Sequence, residues 1–441
     1  MKYLKSLESF AMVVYLARWL LLSCVLGALA GTASAVFLFA LDLATGTRVA
    51  HPWLLWLLPF AGLATGWVYL RFGQSVEGGN NLLIDEIHDP QKIVPKRMGP
   101  LVLAATVVTH LFGGSAGREG TAVQMGGALA DRITHLLGLG REDRRILLMG
   151  GIAAGFASVF GTPLAGAIFG LEVLAIGRLR YDALLVCVAS ALAADQVCRL
   201  WGIEHTVYTI PFVPHASAAG LASAIVAGIA FGLVGMLFAD STHALSAFVK
   251  RKIAWAPARP FVGGVVVAVA ATALGVPQFL GLGIPTIVQA FQQPLPVYDF
   301  AGKFAFTVVT LASGFKGGEV TPLFYIGATL GNALGHVLGH VLALPMPVLA
   351  GLGFVAVFAG AANTPIASTV MAIELFGADI GVYAALACVV AYLFSGHTGI
   401  YRAQRVGQAK HPLLPAGVRL SEIPALRRAR RDEARAASEV N

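Results

Sequence analysis

The chain has 441 residues, of which 57% are hydrophobic and 12% charged, where a soluble globular chain carries roughly 25% charged. With a mean hydropathy of +0.76 this excludes an ordinary soluble enzyme, and uncharged runs such as residues 216–239 exceed the ~20 residues that span a bilayer. The net charge of +8 comes without basic residues interleaved with aromatics on a soluble face, so the expected surroundings are lipid and no nucleic acid.

Lys2 and Lys5 precede the first apolar run, and Arg427, Arg428, Arg430, Arg431 and Arg435 follow the last. The positive-inside bias then predicts a multi-pass membrane protein with both termini cytoplasmic. The opening stretch reaches Ala33-Ser34-Ala35, a small-residue run like a secretory cleavage site, but its apolar region is too long and contains Arg18. A retained first helix is predicted. From about residue 11 to about 395, short breaks divide the apolar sequence into roughly twelve to sixteen helices, some too short to cross alone. The fold class is an all-α polytopic membrane protein. Cys24, Cys187, Cys198 and Cys388 all lie in apolar segments with no metal or redox spacing, so no disulfide and no catalytic thiol is expected.

The first polar break is Glu77-Gly78-Gly79-Asn80-Asn81-Leu82, where Asn80 or Asn81 could donate side-chain N–H groups to an anion or simply cap a turn. The second is Gly113-Gly114-Ser115-Ala116-Gly117-Arg118-Glu119-Gly120-Thr121, and Ser313-Gly314-Phe315-Lys316-Gly317-Gly318-Glu319-Val320-Thr321-Pro322 answers it later in the chain. Irregular backbone at membrane depth is tolerated only where it is buried in protein or lines a wet cavity.

These two breaks belong to an internal repeat. Gly117, Glu119, Thr121, Gly127 and Ala128 recur 200 residues later as Gly317, Glu319, Thr321, Gly327 and Ala328. Phe156, Ala157, Thr162, Pro163, Ala165 and Glu172 recur at an offset of 202 as Phe358, Ala359, Thr364, Pro365, Ala367 and Glu374. The predicted units are residues 1–203 and 215–401, joined by a linker at 204–214 and followed by a basic cytoplasmic tail at 402–441. That tail is expected to be an amphipathic helix or a disordered strip near anionic lipid. Duplications of this kind place the substrate near the midplane between the halves, and inversion of the second half is expected.

Helices restarting at Thr121 and Pro322 would present unpaired N–H groups and the positive ends of their dipoles, which makes an anion site from which the ion can still leave. Glu119, a carboxylate at such an end, competes with the anion for the site and can swing aside when protonated, which would couple proton uptake to anion passage. The alternative is a carboxylate that caps its own helix or pairs with Arg118. Glu319 stands at the edge of residues 320–373, which contain no Lys, Arg, Asp or Glu. It either carries protons too, stays protonated and donates a hydrogen bond to the anion, or bonds Thr321 or Lys316 structurally. Glu172 and Glu374 are assigned structural roles at helix ends. His336 and His340 have an i, i+4 spacing that could ligate zinc, but no carboxylate or Cys lies nearby in sequence, and no metal or cofactor is predicted.

At this point a family resemblance is legible. Gly117-Arg118-Glu119-Gly120-Thr121 resembles the GREGP signature of the CLC chloride channels and proton-coupled antiporters, Gly318-Glu319-Val320-Thr321-Pro322 resembles their GxFxP, and Gly79-Asn80-Asn81-Leu82 falls where they carry GSGIP. The resemblance implies two inverted repeats with broken and re-entrant helices, and a homodimer with one pore per subunit. It gives Glu119 the place of the gating glutamate, Asn80 that of the central serine and Tyr401, in Gly399-Ile400-Tyr401, that of the central tyrosine. Gly117, Arg118, Gly120 and Val320 join Asn80 and Tyr401 as expected anion-binding positions. Val173 stands where chloride antiporters have their inner proton glutamate. Asn80, Thr121, Glu319 and Val320 also depart from the chloride pattern, and the combination is similar to the fluoride-exporting branch, which implies coupling through Glu319 and Thr321. The reading is a secondary active transporter, not an enzyme, exchanging fluoride for protons. A chloride/proton antiporter or chloride channel of the same fold is the alternative, and an intramembrane hydrolase the remote one, since the sequence shows no nucleophile–base motif.

Overall fold

The computed structural model describes residues 2–410, 416–426 and 428–429, with side chains from residue 9 onward. Arg427, Arg430, Arg431 and Arg435 lie outside the described residues.

Helix α1 (Lys2–Ala50) runs unbroken through Ala33-Ser34-Ala35. The small residues there form a packing seam. Ser34 accepts a 2.7 Å hydrogen bond from the Ser158 hydroxyl, and a Cβ at Gly31 would collide with the carbonyl oxygen of Ala194. Seven further helices complete the first half: α2 (Leu58–Val68), α3 (Asn80–His88), α4 (Met98–Leu111), α5 (Glu119–Leu136), α6 (Arg141–Phe160), α7 (Pro163–Glu172) and α8 (Leu184–Leu200). The second half repeats the order with α9 (Ala218–Lys252), α10 (Ala258–Leu274), α11 (Ile284–Ala290), α12 (Asp299–Ala312), α13 (Val320–Val337), α14 (Met346–Ala362), α15 (Pro365–Phe376) and α16 (Gly381–Phe394). Residues 204–214 between them contain no helix or strand. Among the described residues four helical stretches are long and apolar enough to cross a bilayer, and shorter apolar helices span 10–17 residues.

Local signals recur with the repeat. Helix α6 ends on Gly161 and α14 on Asn363, both left-handed (φ 77° and 58°), and Thr-Pro then restarts the chain as α7 and α15. A Cβ at Gly126 would strike the carbonyl of Gly151, and one at Gly327 that of Gly353, so α5 lies against α6 as closely as α13 against α14. Between the halves the core is aromatic, with the Phe160 ring 4.9 Å from that of Phe324 and Phe156 stacked on Phe358 at 6.1 Å.

Glu172 accepts hydrogen bonds from the amides of Ile366 and Ala367 at the start of α15, at 3.1 and 2.8 Å. Glu374 accepts from those of Leu164 and Ala165 at the start of α7, at 2.9 and 2.7 Å. This reciprocal exchange is what a two-fold relation between the halves demands, and it makes both glutamates caps of the opposite half's helix.

The described part of the tail packs against the membrane helices, while most of its Arg/Ala/Glu-rich end, expected as an amphipathic helix or a disordered strip, lies outside the described residues. Strands β1 (Ala175–Ile176) and β2 (Arg405–Val406) pair in parallel, and Ile176, Val406, Leu420 and Ile423 bury one another in a small cluster. Lys410 donates to Asn363 Oδ1, Ser395 Oγ and the carbonyls of Tyr392 and Gly396. Four carbonyl or hydroxyl acceptors at helix ends attract one ammonium, and composition alone does not reveal that they converge on it.

Candidate functional site

Three broken helices converge. Positive-φ glycines, Gly113 (89°) and Gly314 (104°), turn the chain out of α4 and α12. The two following segments then run antiparallel: Gly117 N–H donates to the Gly318 carbonyl at 2.6 Å and Gly318 N–H to the Gly117 carbonyl at 2.8 Å. Because this bridge ends each extended segment, α5 and α13 start at Glu119 and Val320, two residues before Thr121 and Pro322, where the sequence alone places them.

The first segment is anchored from both sides. The Ser115 hydroxyl pairs with Thr307 at 2.9 Å and its amide donates to Thr310 at 3.2 Å. His110 bridges the carbonyls of Thr106 and Ala116, at 2.8 and 3.1 Å, and Thr106 meets the Thr121 hydroxyl at 2.8 Å. None of these anchors was signalled by the motifs, because their partners sit on neighbouring helices.

Glu119 is fully buried, at 0% exposure. Its side chain keeps a long contact to the N-cap residue of its own helix, Arg118, and makes its shorter bonds by crossing to the other half. The Thr321 amide donates to Oε2 at 3.1 Å, and the Thr321 hydroxyl lies 2.6 Å from Oε2 and 2.8 Å from Oε1. Arg118 approaches from the opposite side, with its amide 3.3 Å from Oε2 and its Nε 3.4 Å from Oε1. The carboxylate therefore occupies the amino end of α13, where donors and dipole favour negative charge.

Helix α3 begins at Asn80 after Gly79 (φ 54°) and is held by a buried ion triad: Arg144 bonds Asp131 at 2.6 Å and Glu86 at 3.1 Å. Its end points at the same centre, since a Cβ on Gly120 would lie 3.1 Å from Asn80 Nδ2. The Asn80 carbonyl oxygen is buried without a hydrogen-bond partner. Asn81 is committed elsewhere, accepting from the Ala403 amide at 2.9 Å, which ties α3 to the loop carrying Tyr401. Tyr401 is buried with its ring against Phe169, and its loop is fixed by Gln404, which donates to the carbonyls of Val173 and Ala362, both at 2.8 Å.

Gly117, Arg118, Glu119, Gly120, Thr321 and Asn80 are thus brought together. Val320 is buried at the start of α13, while Glu319 is half-buried beside it and makes no side-chain cap. The structural bond from Glu319 to Thr321 or Lys316 is not formed: Thr321 serves Glu119, and Lys316 lies over the Tyr69 ring at 4.2 Å. His340 falls beyond the end of α13, so the i, i+4 helical geometry with His336 does not form.

Sequence reasoning missed a cavity of ≈ 940 Å³ whose lining includes Arg48, Arg118, Glu204 and His205. It leads from outside to the arginine that contacts Glu119.

Residues 61–396 match the family described as voltage gated chloride channel. A chloride/fluoride channel protein of Pseudomonas syringae pv. tomato is 60% identical, over 94% of this chain and 93% of its own. The H(+)/Cl(-) exchange transporter ClcA of Vibrio cholerae is 30% identical over 81% of each chain. Among solved structures, a CLC-type fluoride/proton antiporter superposes with a TM-score of 0.85 at 35% identity, covering 88% of this chain and 98% of the other. With most of its length matched by that family model and a relative so similar from end to end, the chain belongs to the voltage-gated chloride channel (CLC) family.

Proposed function

We infer that this protein is a fluoride/proton antiporter that exports fluoride across the inner membrane at the expense of the inward proton gradient. The observation that carries the reading is the Glu119 carboxylate seated on the amide and hydroxyl of Thr321 at the amino end of α13. An ionised carboxylate there stands in for a permeant anion. Protonation removes its charge and weakens the charge-assisted bonds, each worth about 1.5–3 kcal/mol. Thr321 and the helix end are then free to accept fluoride, and Glu119 leaves carrying the proton.

Fluoride is small and strongly hydrated, so replacing its water requires close donors. The Asn80 amide, the Thr321 hydroxyl and a protonated Glu319 are of that kind, and the hydroxyl of the buried Tyr401 is a further donor for the ion. Gly117, Arg118, Gly120 and Val320 supply backbone and charge around the ion. Names of similar proteins support the choice of ion: the 60%-identical relative is described as a chloride/fluoride channel and the 35%-identical structure as a fluoride/proton antiporter. The working unit is a homodimer with a separate pathway in each subunit, built from halves 1–203 and 215–401, with both termini cytoplasmic, no cofactor and no enzymatic step.

Flux from reconstituted vesicles tests this. Fluoride efflux should drive proton movement and exceed chloride efflux; equal chloride flux overturns the selectivity, and fluoride flux without protons overturns the coupling.

A further inference from the structure

The cavity leading to Arg118 has a second cation in its wall that no element of the proposed exchange uses. Arg48, in the last turn of α1, makes no hydrogen bond or ion pair with any described residue, and its Nε is shielded from solvent and unpartnered. Its guanidinium lies over the Gly281 turn (φ 59°), where a Cβ would come within 3.2 Å of its Nη2. That turn is itself bonded to the first broken segment, since the Gly281 amide donates to the Gly114 carbonyl at 3.2 Å.

The charge nearby has the same sign. Lys303 on α12 is 0% exposed and donates to the carbonyls of Phe279 and Gly281, at 3.1 and 2.6 Å, with its ammonium 5.3 Å from the Tyr325 ring centre. Asp299, one turn away, makes no ion pair with it, and among the described residues no carboxylate within 4 Å compensates either cation. Arginine cannot shed its proton to relieve this. Its guanidinium carries five N–H donors in a planar fork, none bonded to a described residue, in a cavity whose acids, Asp42 and Glu204, are exposed.

We propose that Arg48 holds a small inorganic anion in this vestibule, a docking point on the pathway between the Glu119 position and the bulk solvent at the carboxyl end of α1, occupied by ions entering or leaving on that side. It rests on the transport reading, and it assigns Arg48 to ion capture with no part in the proton step. A low-dielectric cavity with unpaired positive charge concentrates anions and speeds their arrival. The effect is on occupancy at low ion concentration, not on turnover once the pathway is full.

The test measures initial flux from proteoliposomes of the full chain against fluoride concentration. Arg48→Gln should raise the half-saturating concentration about three- to ten-fold, leave the rate at saturating fluoride within about two-fold, and leave the proton-to-fluoride ratio as in the parent; Arg48→Lys should recover most of the shift. An unchanged half-saturating concentration, or a loss confined to the saturated rate, overturns the proposal. Thr45→Glu, which places a carboxylate in the same wall one turn from Arg48, should give the same shift by pairing with it, and its absence likewise overturns the proposal even where Arg48→Gln fails to fold. If the parent carries chloride and not fluoride, the fluoride reading falls, and the same curves measured with chloride still decide the role of Arg48.

Discussion

Glu119 and Thr321 belong to different halves of the chain, 202 positions apart, yet the glutamate takes both hydrogen-bond donors of the threonine. The contact has the properties of a latch. It places an acidic side chain on the amino end of a helix it does not belong to, beside the Gly117–Gly318 bridge that locks the two broken segments together. Fixed backbone thus surrounds one buried carboxylate, the group to which the proposed exchange gives the proton.

Glu119→Gln keeps the shape and one acceptor but can neither carry charge nor take up a proton. Proton movement driven by a fluoride gradient is expected to fall to the level of empty vesicles. Proton movement at the parent rate, read with a pH electrode, would assign the coupling to another carboxylate, with Glu319 next in line.

Thr321→Val preserves volume and removes the hydroxyl that lies 2.6 Å from the glutamate. Losing one hydrogen bond to a charged group, about 1.5–3 kcal/mol, should slow fluoride flux roughly ten-fold or more, while Thr321→Ser stays within a few-fold of the parent. Equal initial rates for the valine and serine variants would remove the hydroxyl from the mechanism.

Gly120→Ala inserts a methyl group 3.1 Å from Asn80 Nδ2 and 3.2 Å from Gly318 Cα. Gly318 is pinned by its two bonds to Gly117, so the Asn80 side chain must give way. The expected result is several-fold slower fluoride flux with a thermal midpoint lowered by only a few degrees, because the strain of about 1 kcal/mol is local. A variant as fast as the parent would show that Asn80 does not need this position.

The sequence made the chemistry of the centre legible because glycine, glutamate and threonine are conspicuous against an apolar background and recur at one offset. The same offset shows that Glu172 and Glu374 are equivalent, and their helix-end role was readable too. Which donor each carboxylate takes was not readable: Glu119 makes its shortest bonds to Thr321 of the other half, and Glu172 bonds Ala367 there. Such pairings depend on how the halves dock, which local periodicity does not encode. Arg48 was invisible for a related reason, since a single arginine at a helix end looks like a surface charge until its neighbours are shown to offer no carboxylate.

The reciprocal caps are unequal, and the inequality is measurable. Removing Glu172 as Ala leaves the amides of Ile366 and Ala367 unpaired where the Ala367 bond is buried, whereas the Leu164 amide served by Glu374 is at an exposed position. Unpaired buried donors cost about 1–3 kcal/mol each. Thermal unfolding in detergent should therefore show Glu172→Ala as the less stable variant and Glu172→Gln, which keeps an acceptor, in between it and the parent. The reverse order would mean that the Glu374 side supports the interface.

Truncation separates the packed part of the tail from the rest. Ending the chain after Val406 removes Lys410, whose ammonium joins Asn363, Ser395 and the carbonyls of Tyr392 and Gly396, together with the buried Leu420 and Ile423. Asn363 also donates to Gln404, which braces the Tyr401 loop, so the loss should reach the ion pathway. We expect that truncation to lower the thermal midpoint and cut fluoride flux by about ten-fold or more, given several hydrogen bonds to one charge at 1.5–3 kcal/mol each. Ending the chain after residue 429 leaves all of these contacts in place and should leave flux within about two-fold of the parent. Lys410→Met in the full chain distinguishes anchoring from mere length: a fall in flux with the whole tail present identifies the ammonium as the anchor, and full activity assigns the effect to the Leu420–Ile423 cluster instead.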